Sequence, residues 1–417
     1  GMDTMFCFPT TPIIEAAVAA GLRPIICRQE RVGVDMASGY ARVANGKPPA
    51  VFAMQYGPGA ENAFPGIASA YSDSVPLLLL PLGHGRDMSQ VYPMFKSTRT
   101  YESVTKQVEE ITLPGEVGNI MRRAFNALKN GRQGPVMVET PVDVVKQELA
   151  TEPNYEVVKR TRSAGDPDDI ERAAEMLVAA RTPLLLAGQG MLYAEASSEL
   201  QELAELLQAA VMTTNDGKSA FPEDHALALG TGGIVYSAHG KAILAEADVI
   251  LGVGASLTPH RITSPALPKS AKVIHATNDA RDLNKNYTTE IGILGDAKLV
   301  LRALVDCGRD RLRGQQRDNS MATKIAGLRD PWLAEWHAKL NSAEVPMTPY
   351  RVINEFMRVI NPADAIVTHD SGSPRDQILP FYRATTPRSY LGWGKSHQLG
   401  TGLGLAIVRE FCTMLGG

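Results

Sequence analysis

Ala50-Val51-Phe52-Ala53-Met54 runs without a polar residue into Gln55-Tyr56-Gly57-Pro58-Gly59-Ala60-Glu61-Asn62. An unbroken apolar run of this length, closed by a glycine-rich turn, predicts a short strand buried on both faces. That is the strand type of a parallel sheet. The turn predicts a ligand-approach loop, because missing β-carbons let backbone come close to what it binds. No Gly-Lys-Ser/Thr follows, so it is not a Walker loop, and it is not the dinucleotide Gly-x-Gly-x-x-Gly. Many α/β turns carry Gly and Pro, so the stretch speaks for the fold before it speaks for any chemistry.

Working outward, comparable apolar runs lie at 77–82, 135–139, 184–187, 249–253, 272–276 and 365–369, and another at 24–27 leads into a helix beginning near Glu30. Between them, helix-period stretches lie at 32–43, 116–130, 168–180, 197–210 and 350–360. This alternation predicts an α/β chain of three doubly wound parallel-sheet domains. Polar segments at 147–167 and 309–346 read as linkers, the second with Trp332 and Trp336 on a helix. They divide the chain into 1–150, 165–308 and 345–417. The third piece holds one convincing strand, too few for a parallel sheet, and so reads as incomplete.

Composition narrows the function classes. Apolar residues make up 44% and charged residues 21% of the chain, which excludes wholesale disorder. Lys plus Arg number 42 against 45 Asp plus Glu, so there is no electrostatic footprint for nucleic acid. The apolar run at 75–82 is too short to span a bilayer. Cys7, Cys27, Cys307 and Cys412 have no metal or redox spacing, which predicts a reducing cytoplasm. The histidines show no HxxH or HxxxH spacing, and no Gly-x-Ser-x-Gly elbow occurs, so neither a zinc site nor a serine hydrolase is predicted.

Four segments suggest chemistry. Glu30, after the 24–27 strand, puts a carboxylate at the carboxyl edge of a sheet, where α/β folds place ligands. It also suits a helix N-terminus through the dipole, which is the plain structural reading. The Gly57–Asn62 turn is the second. Asp73-Ser74-Val75-Pro76 and Gly131-Arg132-Gln133-Gly134-Pro135-Val136 each precede a buried strand.

In this order and spacing the four resemble the N-terminal, pyrimidine-binding domain of thiamine-diphosphate enzymes, in particular the acetolactate synthase group of large-subunit type. Phe6-Cys7-Phe8-Pro9 and Gly39-Tyr40-Ala41-Arg42 match two further motifs of that domain. Thr182–Gly190, Asp216–His225, Ala247–Ala255 and Gly295-Asp296 resemble its central Rossmann-like domain. Thr368-His369-Asp370-Ser371-Gly372 and the stretch from Leu399 to Gly404 resemble the start of its diphosphate-binding domain.

The resemblance implies decarboxylation of a 2-oxo acid, or carboligation of the resulting activated aldehyde, with thiamine diphosphate and Mg²⁺ as cofactors. Glu30 matches the glutamate that favours the imino tautomer of the cofactor's aminopyrimidine. Pro9, Gly57, Pro58 and Asn62 match the lining of its rings. Gly372 and Ser373 match a turn near the diphosphate, and Leu399 the apolar prop for the bent cofactor; without the family Leu399 reads equally as a core leucine. Lys96 stands where the group carries Gln and is a candidate contact for a substrate carboxylate, or a solvated lysine. His397 is a neighbour of Leu399 with no assigned role. The group's sites lie between subunits, which implies a homodimer or homotetramer.

The family's Gly-Asp-Gly and Asn-Asn segment for Mg²⁺ has no counterpart, so no metal ligand is assigned in this chain, and the chain reads as shortened at both ends. FAD, held by the central domain of some relatives, is not favoured, since Gly188, Gly190, Gly252 and Gly254 read as turn-formers. The rival readings are an oxalyl-CoA decarboxylase or sulfoacetaldehyde acetyltransferase type of enzyme, a non-catalytic fragment or pseudoenzyme, and a nucleotide-binding module.

Overall fold

The computed structural model describes residues 2–396 and 398–402. His397, Cys412 and Gly404 lie outside the described residues. The chain forms two compact units. The first runs through Thr161 and takes in Ser396 and the described residues after it; the second is Arg162–Lys395.

The first unit is built on six parallel strands, β1 (Thr4–Cys7), β2 (Arg23–Ile26), β3 (Ala50–Met54), β4 (Leu77–Gly83), β5 (Gln107–Glu110) and β6 (Val136–Pro141), in the order β2-β1-β3-β4-β6-β5. Side chains alternate between two cores, as the two-residue period of a strand requires. Phe6, Phe52, Met54, Leu77, Leu79 and Met137 pack on one face, where they meet α2 (Glu30–Val43) and α3 (Pro58–Ser72). Met5, Cys7, Val51, Leu78, Val136 and Val138 pack on the other, against α1 (Thr11–Ala19) and α5 (Val117–Lys129); the short α4 (Ser97–Tyr101) follows β4. Helices on both faces of a parallel sheet make the doubly wound α/β fold.

Helix α2 buries Val34, Ala37 and Ala41, three and four residues apart, against the β3 side of the sheet. Each larger side chain so removed from water contributes about 1.5–3 kcal/mol. The helix sits this close only because of Gly33, whose β-carbon would stand 2.4 Å from Phe52 Cε2 and 2.9 Å from Cys27 Sγ. We expect Gly33→Ala to cost about 1–3 kcal/mol in a urea titration, through overpacking. Gly115→Ala, whose added carbon meets nothing within 4 Å, is the control and should change stability little. Equal stability of the two variants would refute the packing argument.

The second unit holds six parallel strands in the order β12-β11-β10-β7-β8-β9: β7 (Pro183–Ala187), β8 (Ala210–Thr213), β9 (Ala228–Thr231), β10 (Val249–Val253), β11 (Lys272–Thr277) and β12 (Ile291–Leu294). The order reverses between β7 and β10. Helices α6 (Pro167–Ala179), α7 (Gly190–Ala194), α8 (Ser197–Leu207), α9 (Ala238–Glu246) and α10 (Ala297–Leu312) accompany the sheet. They are followed by α11 (Ser320–Leu340), α12 (Pro349–Val359) and α13 (Ser373–Ile378), with a two-stranded parallel pair of β13 (Val367–Thr368) and β14 (Tyr390–Leu391).

Two expected elements are corrected. The helix expected over 197–210 ends at Leu207, because Gln208 turns left-handed (φ 47°) and Ala210 begins β8. The strand expected over 365–369 pairs only at Val367 and Thr368. The segment read as a linker over 309–346 carries the 21-residue α11, which packs on α9 and α12.

Candidate active site

The carboxyl ends of β1, β2, β3 and β4 carry Pro9, Glu30, the Gln55–Asn62 turn and His84 in turn. Ligands of open α/β sheets bind at this edge. Glu30 opens α2, where the helix dipole favours its charge. It is nevertheless only 3% exposed. The Asn62 amide donates to its Oε2 at 3.3 Å. Among the described residues, Oε1 has no hydrogen-bond partner. Gly57, at φ 58° and ψ −109°, starts α3 from a conformation closed to residues with a β-carbon. Tyr56 packs on the His84 ring, with centroids 4.9 Å apart.

Two groups that sequence reasoning missed support this edge. Tyr101 is fully buried and its hydroxyl donates to the Ala60 carbonyl at 2.5 Å, tying down the first turn of α3. Burial, and then the Glu30 charge, push its hydroxyl far above the usual range, so it remains a donor. Glu139 on β6 is 7% exposed and accepts from the Ser97 hydroxyl. Burial pushes its carboxyl up to about 7; the Ser97 bond opposes this and Glu110 adds to it. A glutamate directly after the buried run Val136–Val138, on the same strand, was a readable signal for Glu139. Nothing local marks Tyr101, whose partner is 41 residues away.

The other candidates fall as follows. Pro9, Pro58 and Asn62 are exposed around buried Glu30 and Gly57. Lys96 is exposed at the start of α4. Leu399 is 69% exposed, which corrects the reading of it as a core leucine, and its carbonyl accepts from the Arg31 guanidinium. Gly372 and Ser373 belong to the second unit; Gly372 (φ 87°) opens α13 and Ser373 is exposed. Burial pushes the Cys7 and Cys27 thiols up to about 11, which excludes either as a thiolate nucleophile near neutral pH.

Residues 1–108 match the N-terminal TPP-binding domain of thiamine pyrophosphate enzymes, and residues 170–304 match the central domain. A probable acetolactate synthase large subunit of Methanocaldococcus jannaschii is 30% identical over 98% of this chain and 70% of its own length. The chain belongs to the thiamine pyrophosphate enzymes. Within that family it is acetolactate-synthase-like. The large subunit of acetolactate synthase isozyme 3 of Escherichia coli is also 30% identical, over 98% of the chain and 72% of its own length. A probable 2-ketoarginine decarboxylase of Pseudomonas aeruginosa is 31% identical over the same shares.

The first unit of this thiamine pyrophosphate enzyme fits its cofactor. A buried carboxylate with one oxygen held and the other without a partner is what a ring nitrogen would complete. For magnesium, no three His, Cys, Asp or Glu side chains converge among the described residues, so no ligand is placed and no step is derived through it. At the β7–β10 reversal, a β-carbon on Gly188 would stand 2.3 Å from the Gly254 carbonyl oxygen. The glycines there serve loop-on-loop contact, and no step is derived through FAD. No helix among the described residues is long and apolar enough to cross a membrane.

Proposed function

We propose that the chain acts on a 2-oxo acid, releasing carbon dioxide and passing the acyl unit to a proton or to a second carbonyl. The supporting observation is Glu30, buried, fixed through Oε2 by Asn62, with Oε1 left for a partner. The cofactor, when bound, would supply an acidic thiazolium carbon as the nucleophile. The protein supplies orientation and electrostatics. Glu30 holds the proton shared with the pyrimidine ring, in surroundings whose low dielectric strengthens that bond. Asn62 keeps the carboxylate from rotating. Gly57 and Pro58 set the turn against which the rings lie, and Pro9 borders it. Lys96 is proposed as the contact for the substrate carboxylate, and Leu399, Gly372 and Ser373 as further cofactor contacts. The division at 1–150, 165–308 and 345–417 and a homodimer or homotetramer belong to the same proposal.

The relatives' names cover both outcomes, an acetolactate synthase and a 2-ketoarginine decarboxylase. The test is a calorimetric titration with thiamine diphosphate, with and without Mg²⁺, followed by turnover trials. Pyruvate, 2-ketoarginine, oxalyl-CoA and sulfoacetaldehyde are the substrates. Saturable binding weakened by magnesium removal, with turnover of pyruvate or 2-ketoarginine, is expected. Turnover of only the last two overturns the substrate class. No binding at all would make the chain a non-catalytic member of its family.

A further inference from the structure

The second unit contains a cavity of about 460 Å³ between β9, the start of α9, α11, α12 and the 379–385 segment. Its volume lies in the range of small-molecule sites. Trp332 stacks flat on Phe381, with centroids 5.5 Å apart and planes 5° apart, and meets the His239 ring edge-on at 5.9 Å. Arg329 and Arg383 line the same space.

Among the described residues, two buried polar groups there lack hydrogen-bond partners. His239 is 6% exposed, and its Nδ1 has no hydrogen-bond partner. The Tyr382 hydroxyl, 2% exposed, has none either. A buried polar group left without a partner is costly, so each invites a ligand group. The His239 tautomer follows from its neighbour. The Ser237 hydroxyl donates to the Leu229 carbonyl and accepts from the Gly240 N–H, so at 3.2 Å it accepts from His239 Nε2. Nδ1 is therefore an acceptor. Burial, then the charges of Arg329 and Arg383, hold His239 down to about 4 against the pull of Asp330, so the ring is neutral at pH 7. Glu223 also lines the cavity. Its carboxylate is taken up by Lys218 Nζ at 2.5 and 2.6 Å and by the Ala384 N–H at 2.8 Å, so its charge is compensated. What remains is aromatic wall, the Arg383 guanidinium, the Arg329 guanidinium with its Nε bonded to Asp330 Oδ1 at 3.1 Å, one acceptor and one hydroxyl.

We propose that this cavity is a second ligand site, for a flat conjugated carboxylate that also carries a hydroxyl or N–H donor. The carboxylate pairs with Arg329 and Arg383, and the donor bonds to His239 Nδ1. The planar body packs on the rings of the wall. The site is independent of the reading of Glu30.

Calorimetry with 4-hydroxybenzoate, benzoate and 4-hydroxybenzyl alcohol tests it on the intact chain. We expect saturable binding of 4-hydroxybenzoate, and binding weaker by about tenfold or more for benzoate, which lacks the donor, and for the alcohol, which lacks the anion. His239→Phe and Arg329→Met should each weaken 4-hydroxybenzoate by a similar factor. Glu30→Gln should leave it unchanged. In the wild type the His239 ring signals, followed by NMR at pH 7, should shift in a saturable way as 4-hydroxybenzoate is added; this reading needs no variant to fold. No saturation at millimolar concentration, equal affinity for the three probes, or unmoved His239 ring signals overturns the proposal.

Discussion

Glu30→Gln is expected to lower turnover by about 10²–10⁴-fold, the range for losing a positioned proton-transfer group, while leaving the fold intact. The amide has the shape of the carboxylate but reverses its chemistry. Asn62 donates to Oε2, so a glutamine presents its oxygen to Asn62 and turns its NH₂ outward. A donor then stands where an acceptor able to hold a proton stood. Stability should hold or rise, because a charge that is 3% exposed is replaced by a neutral group. The paired measurement is kcat/KM with the preferred 2-oxo acid beside a urea midpoint. Normal turnover by the variant would remove Glu30 from the mechanism. Lost turnover with a lowered midpoint would make its role structural.

What could be read from the chain, and what could not, follows from burial. Strands β3, β4, β6, β7, β10 and β11 stood out because each is a nearly unbroken apolar run covered on both faces. The edge strand β5 (Gln107–Glu110) escaped notice because it is half-buried and largely polar. Strand β8 was missed and the preceding helix was run on to Ala210, since the left-handed turn at Gln208 leaves no Gly or Pro in the sequence to announce it. At the site, Glu30 and the Gly57–Asn62 turn were legible because each follows directly on a strand. Tyr101 and Ser97 were not, because their partners lie about forty residues away, in contacts only the folded sheet creates.

Glu139 makes stability fall as pH rises, the reverse of an ordinary surface carboxylate. Its neighbours on β6, Val136, Met137 and Val138, are buried, and Glu110 stands opposite it in the parallel register. Its carboxyl is pushed from 4.5 up to about 7. Between those values the folded chain binds a proton that the unfolded chain has released. Stability is therefore greatest below about 4.5 and is lost as pH rises through about 7. At about 1.4 kcal/mol per pH unit, the loss amounts to about 3 kcal/mol. Urea titrations at pH 5, 6, 7 and 8 should show this decline in the wild type relative to Glu139→Gln, which has no proton to lose and should be the more stable of the two above pH 7. Ser97→Ala sharpens the test. The Ser97 hydroxyl donates to the carboxylate and favours its charged form, so without it the decline should continue to higher pH and become larger in total. Parallel stability profiles for wild type and Glu139→Gln would mean that the carboxylate finds its charge compensated in the fold. A decline that runs on to higher pH in Ser97→Ala would instead show that one hydroxyl, next to the proposed substrate contact Lys96, sets the proton affinity of this buried acid.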